Sequence, residues 1–276
     1  MAEFRNMSTA LNRRRLLAGA AAVTTVIAAP AIVRGQGAAL KVGVLLPRSG
    51  AQAGIGQDCF RGVELANPIF KSIGLPELEI MSADTETNVE VARSRAEKLI
   101  ADGAQLLMGA FDSGQSSAIA QVAEQKGIPF VINIAAAPPI TEQGYKFVFR
   151  NFPTAGMILS DAFANQKEVF AESGKEPKSV VFLHVNDTFG MAMKNGVGAV
   201  MPKFNMPYTI KETISYDPTA RDLSVEVTKA KATGADALLV VSRLNDAILL
   251  PANWSSSAGH RWESSAWAQA GTRISI

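Results

Sequence analysis

The sequence predicts an α/β protein built as two lobes, each around a mostly parallel sheet. From residue 40 onward, short apolar runs alternate with longer segments whose apolar residues recur every three or four positions, the signature of βα units. The runs are continuous rather than alternating, as strands are when helices cover both faces of a sheet. The cycle pauses after residue 150 and restarts, so lobes are expected over 40–150 and 151–250.

Strands are predicted over 40–46, 77–81, 105–108 and 130–132, with helices over 60–72, 89–102 and 113–126 between them. In the 89–102 segment Val91, Ala92, Ala96, Leu99 and Ile100 make one apolar face, Arg93, Arg95, Glu97 and Lys98 take the other side, and Asp102-Gly103 is a stop signal. An apolar stretch at 147–150 closes the first lobe. The second is expected to hold helices over 156–173, 188–201 and 223–233 and strands over 179–184, 208–214 and 237–241, three strands without a fourth. After Leu250 the apolar periodicity ends, and 251–276 is rich in Ser, Ala and Trp, with all three tryptophans of the chain. Permitted codons read one frame over from Ala252 yield a helix-like and then a strand-like string. A frameshifted tail is therefore expected, with a divergent tail as the alternative. The C-terminal part of the fold would then be missing and folding impaired.

Composition narrows the function. With 276 residues, 47% hydrophobic and 19% charged, the chain is an ordinary globular one. One Cys and two His exclude a multi-thiolate zinc site, an iron–sulfur cluster and an intramolecular disulfide, and neither metal nor cofactor is expected. The net charge of +2 is concentrated at the N-terminus: without residues 1–31, which hold four Arg against Glu3, 23 basic and 24 acidic residues remain. Such a chain lacks the basic stripe that binding a phosphate backbone needs, so nucleic acid is not an expected partner.

Residues 1–31 read as a signal peptide. Arg13-Arg14-Arg15 precedes an apolar run from Leu16 to Ala28 and the small-residue site Ala29-Pro30-Ala31, in the order of charged region, apolar region and cleavage site. The arginines are also twin-arginine-like, although Asn12 stands where that motif usually has Ser or Thr. Export to the periplasm with cleavage near Ala31 is expected.

Ligands in open α/β sheets collect where strand ends lead into helix N-termini. Three such loops stand out: 47–56, with Ser49 and Ile55; 109–114, with Phe111, Asp112 and Ser113; and 133–139, with Ala135, Ala136 and Ala137. The first lacks the spacing of a dinucleotide fingerprint. In the second, the helix N-terminus and the Ser113 hydroxyl suit a carboxylate, while Asp112 or Ser113 as a plain helix cap is the competing reading.

The pieces Val42-Gly43-Val44-Leu45-Leu46-Pro47-Arg48-Ser49-Gly50, Gly109-Ala110-Phe111-Asp112-Ser113-Gly114-Gln115, Ile134-Ala135-Ala136-Ala137-Pro138 and Val185-Asn186-Asp187-Thr188-Phe189-Gly190, in this order and spacing, resemble the branched-chain amino-acid type of periplasmic substrate-binding protein that feeds ABC importers. The likeness runs from Lys41 to Leu250. It implies the type I periplasmic binding fold, two Rossmann-like lobes closing by a hinge on a small-molecule ligand, an amino acid or related carboxylate. It also implies an ABC permease as partner. By the same resemblance Ser113 and the backbone of Ala135 and Ala136 match carboxylate-binding positions, and Phe189 matches an aromatic of the second lobe. Ser49 and Phe111 complete the expected ligand set. Ile55 stands where some relatives have Tyr, and Ala137 where amino-acid binders often have Thr; Asp112 is the candidate acceptor for an ammonium.

Catalysis is not expected. Cys59 reads as a small buried residue and His184 as a hydrogen-bonded structural histidine. No G-x-S-x-G elbow accompanies Ser49, Ser113 or Ser116. Asp187 reads as a helix cap, while Arg243 and Asp246 could reach the cleft or pair on the surface. A ligand-sensing receptor of the same fold is the alternative, and a secreted α/β hydrolase a more distant one.

Overall fold

Residues 39–256 are described by the computed structural model and belong to one compact unit; the expected signal peptide and the tail beyond residue 256 lie outside them. The chain runs β1 (Lys41–Leu46), α1 (Ala53–Glu64), α2 (Ala66–Ser72), β2 (Glu79–Asp84), α3 (Val89–Ala101), β3 (Leu106–Gly109), α4 (Ser113–Lys126), β4 (Phe130–Ile132) and β5 (Val148–Arg150). These strands form a parallel sheet of order β2-β1-β3-β4-β5. Then come α5 (Ala155–Ser173), β6 (Ser179–Val185), α6 (Thr188–Val200), β7 (Thr209–Tyr216), α7 (Ser224–Ala232), β8 (Ala237–Val241) and α8 (Leu244–Ser256), with a second parallel sheet of order β7-β6-β8.

Each sheet is covered on both faces, which is why its central strands read as unbroken apolar runs. In β1 the period-2 alternation sends Val42, Val44 and Leu46 against Cys59, Phe60 and Val63 of α1, while Leu45 joins the core under α3 and α4. In β6, Val180 and Phe182 pack with Leu159 and Phe163 of α5 and Met193 and Val197 of α6. Val181, Leu183 and Val185 pack on the other face with Leu223, Val227 and Leu250. Each of these large side chains contributes about 1.5–3 kcal/mol on burial. No helix of the described residues is long and apolar enough to cross a membrane.

Several elements differ from the sequence expectation. The first helix begins at Ala53 rather than residue 60 and breaks at Leu65 into a second helix. The glycines that read as a loop are helical because Gly56 seats the first turn against the end of β1, where a Cβ would lie 2.0 Å from the Pro47 carbonyl oxygen. The second strand runs over Glu79–Asp84 rather than 77–81, because pairing with β1 (Lys41 with Glu79, through Leu46 with Asp84) draws polar Ser82 and Asp84 into the ladder. The strand expected over 208–214 likewise shifts to end at Tyr216, opposite Val185. After β8, where no helix was expected, α8 continues through Pro251 to Ser256. Leu250 is buried on it, and the Asn253 side chain accepts a hydrogen bond from the Leu223 N–H at 3.0 Å.

Candidate functional site

The carboxyl ends of the strands carry the polar residues. At the end of β3, Gly109 has φ 126°, and a Cβ there would meet the Leu45 carbonyl oxygen at 1.9 Å, so only glycine lets the chain turn into α4 this close to β1. The turn places Asp112 as the N-cap of α4: its Oδ1 accepts from the Gln115 N–H at 3.0 Å. Asp187 caps α6 in the same way, accepting from the Gly190 N–H at 2.9 Å. The two helix starts are neighbours, since a Cβ on Gly114 would lie 3.4 Å from the Thr188 hydroxyl.

Arg243, on the turn between β8 and α8, joins them. It ion-pairs with Asp112 Oδ2 at 2.9 Å and with Asp187 Oδ2, and its guanidinium carbon lies 5.5 Å from the centre of the Phe189 ring. The side chains of Arg243 and Asp112 are each 12% exposed, so the contact is largely shielded from water. Arg243 and Asp246, for which the sequence left cleft and surface open, are thereby inside: Asp246 is buried, and its Oδ2 accepts from the Tyr216 hydroxyl at 3.0 Å and the Arg243 N–H at 3.2 Å. Burial first, and the Asp246 charge second, push the Tyr216 phenol above its ordinary range. From the first sheet Gln52 donates to Asp112 Oδ2 at 3.2 Å, and from α8 Asn245 donates to the Ala51 carbonyl at 2.9 Å.

The loop after β4 is held from behind. Ala135, Ala136 and Ala137 are buried. Arg150, the last residue of β5, donates to the carbonyls of Ala135 and Ala137 (2.7 Å to the latter) and to the Thr141 hydroxyl at 3.2 Å. The Ala136 carbonyl accepts from the Ala155 N–H at 2.9 Å. All three carbonyls are thus engaged from the fold side. Desolvation lowers the Arg150 pKa from its ordinary value. Ser113, only 1% exposed, has its hydroxyl 3.4 Å from the Ala137 N–H and joins this loop to the start of α4.

The other expected positions are half-buried. Ser49 is half-buried; its N–H donates to Asp84 Oδ1 at 3.2 Å, and its carbonyl accepts from the Thr87 hydroxyl at 2.8 Å. Burial alone would raise the Asp84 carboxyl, but hydrogen bonds from the N–H groups of Glu86, Ser49 and Arg48 and from the Ser49 side chain hold it below its ordinary value. Ile55 lies half-buried on α1, Phe111 half-buried just before the Asp112 cap, and Phe189 half-buried in the first turn of α6. The structure thus brings Asp112, Ser113, Ala135, Ala136, Ala137 and Phe189 to one cluster, with Ser49 tied to it through Thr87 and Gln52. Sequence reasoning missed Gln52 and Arg150, although a lone Arg at the end of the apolar stretch 147–150 was a signal for the latter. Outside the cluster, His184 is buried, bonds the Val185 carbonyl through Nδ1 and stacks on Phe182. Burial raises the Cys59 thiol. Among the described residues no group of three or more His, Cys, Asp and Glu is placed to hold a metal ion.

Two parallel α/β sheets whose strand ends meet around helix N-termini make the architecture of a two-sheet binding protein. The family model described as periplasmic binding protein matches residues 39–254, and the chain belongs to that family, with the type I fold. It is similar to Leu/Ile/Val-binding protein homolog 8 of Brucella abortus, 26% identical over 216 residues, which covers 76% of this chain and 53% of the relative. It is also similar to homolog 7 of Brucella suis, 25% identical over 248 residues, 87% of this chain and 58% of the relative. The chain thus spans little more than half the length of these curated relatives. Among solved structures, a leucine-binding protein of Thermotoga maritima matches with a TM-score of 0.67 at 21% identity, covering 79% of this chain and 60% of that one. An ABC-transporter solute-binding protein of Rhodopseudomonas palustris in complex with benzoate matches with a TM-score of 0.67 at 24% identity, covering 79% and 59%. At the level of the family this is a binding protein rather than an enzyme.

Proposed function

We propose that this chain is the extracytoplasmic solute-binding component of an ABC importer, capturing a small carboxylate, an amino acid or a relative of one, between its two sheets and passing it to a membrane permease. One observation carries the reading: Asp112–Ser113 and the Ala135–Ala137 loop of the first sheet converge with Asp187, Phe189 and Arg243 of the second, at the strand ends where ligands of such folds bind. The first-sheet side holds donors, the α4 N-terminus, the Ser113 hydroxyl and the amides of Ala135 and Ala136, which suits a carboxylate. The ligands that the names of similar proteins give, branched-chain amino acids and benzoate, share that group. Periplasmic residence and cleavage near Ala31 belong to the same reading.

Calorimetric titration with small carboxylates tests it. The Ser113→Ala variant is expected to bind about 5- to 150-fold more weakly, the effect of removing a partner from a charged group at about 1–3 kcal/mol. Unchanged affinity removes Ser113 from the site; no binding of any carboxylate rejects the function.

A further inference from the structure

We propose that Arg243 is a charge bridge that holds the two sheets together: its guanidinium pairs an acid of each sheet, and without it the same acids drive the sheets apart. The inference goes beyond the solute-binding reading and rests on protein groups alone. Polar contacts cross from the second sheet to the first just after β8: Arg243 donates to Asp112 Oδ2 at 2.9 Å, and Asn245 donates to the Ala51 carbonyl at 2.9 Å. Each half of the Arg243 bridge is set in place by its own sheet. Arg243 pairs with Asp187 Oδ2 and lies over the Phe189 ring, 5.5 Å from its centre. Asp112 is fixed by the Gln115 N–H and the Gln52 amide. Bringing the sheets together therefore orders little that was free, and contact between pre-set groups costs little entropy. The Arg243 and Asp112 side chains are each 12% exposed, so salt screens their contact less than it would at the surface.

The surrounding charge decides what removal of the guanidinium does. Asp246 adds a third acid, its Oδ2 accepting from the Arg243 N–H at 3.2 Å and from the Tyr216 hydroxyl at 3.0 Å. Three carboxylates thus meet one guanidinium. Coulomb energy varies inversely with distance, so a cation in contact with an acid of each sheet outweighs their repulsion across it. Without that cation, Asp112 of the first sheet faces Asp187 and Asp246 of the second in a place shielded from water, where like charges repel strongly. The Asn245 bond is neutral and exposed, and a single bond of that kind is too weak to oppose them.

Small-angle scattering of the 276-residue protein, dialysed exhaustively free of solute, tests the bridge. Arg243→Gln is expected to raise the radius of gyration by about 1 Å, roughly one part in twenty of the value for a compact chain of this length. Circular dichroism, unchanged in the variant, separates opening from unfolding. Adding Asp112→Asn, which keeps the helix cap and removes one of the facing charges, is expected to reverse at least half of that rise. A merely structural loss would instead leave the double variant as expanded as the single one, or more so. No expansion in Arg243→Gln, or an equal expansion in the double variant, overturns the inference. If Arg243→Gln does not fold, the unaltered protein decides: a profile that fits the two sheets in contact sustains the inference, and one that needs them apart overturns it. None of these readings involves a solute, so they hold or fail independently of the carboxylate titrations above.

Discussion

Replacing Arg150 by Met keeps an unbranched stem and removes the guanidinium that ties down the Ala135–Ala137 loop. The loss is worked from the partners. The Ala135 carbonyl, on a residue 2% exposed, loses its donor outright. The Ala137 carbonyl, on a residue 1% exposed, loses its 2.7 Å bond and keeps only the Ile140 N–H at 3.3 Å. A buried carbonyl left without its donor costs about 1–3 kcal/mol, so one complete and one partial loss come to roughly 3 kcal/mol. In a unit of this size each kcal/mol moves Tm by about 2–4 °C, giving an expected fall of about 9 °C. The loop amides lose their backing at the same time, so carboxylate affinity falls in parallel. Scanning calorimetry and a titration on Arg150→Met measure both. A Tm within about 3 °C of the unaltered protein together with unchanged affinity would show that the loop carbonyls find other donors and would refute the reasoning.

Gly190→Ala places a Cβ 1.7 Å from the Val185 carbonyl oxygen, a backbone atom that cannot swing aside, so the start of α6 must withdraw from β6 at a cost of about 3 kcal/mol or more. An unshifted urea midpoint would contradict this. Burial raises the Tyr208 phenol, and burial with Asp246 raises that of Tyr216, so the neutral forms are favoured in the folded state. Their contribution to stability is complete below the ordinary phenol value of about 10 and is lost as pH rises above it. Tm is expected to fall as pH goes from about 10 towards 12, with a flatter slope in the doubly substituted Tyr208→Phe, Tyr216→Phe protein. Equal slopes in the two proteins would count against the assignment.

Local patterning determined much of this protein. The helix over 113–126 and the strands over 130–132 and 237–241 are legible to the residue, because an apolar period and a cap or stop, Asp112 at one end and Gly127 at the other, are properties of a few neighbouring residues. The caps Asp187 and Asp112 are legible for the same reason. Tertiary structure decided where β2 and β7 end, since register is set by the partner strand and the pairing carries Ser82 and Asp84 into the ladder whatever their own preference. It turned a glycine-rich stretch into the start of α1, because Gly56 is needed by the Pro47 carbonyl and not by a turn. Above all it decided what Arg243 does. Its ion pair with Asp112 joins residues 131 positions apart, and Arg150 reaches back to a loop that reads in isolation as a mere connector. Periodicity reports which face of an element is buried, whereas the partner of a single charged side chain depends on how sheets and helices dock, and that is set by the packing of the whole fold.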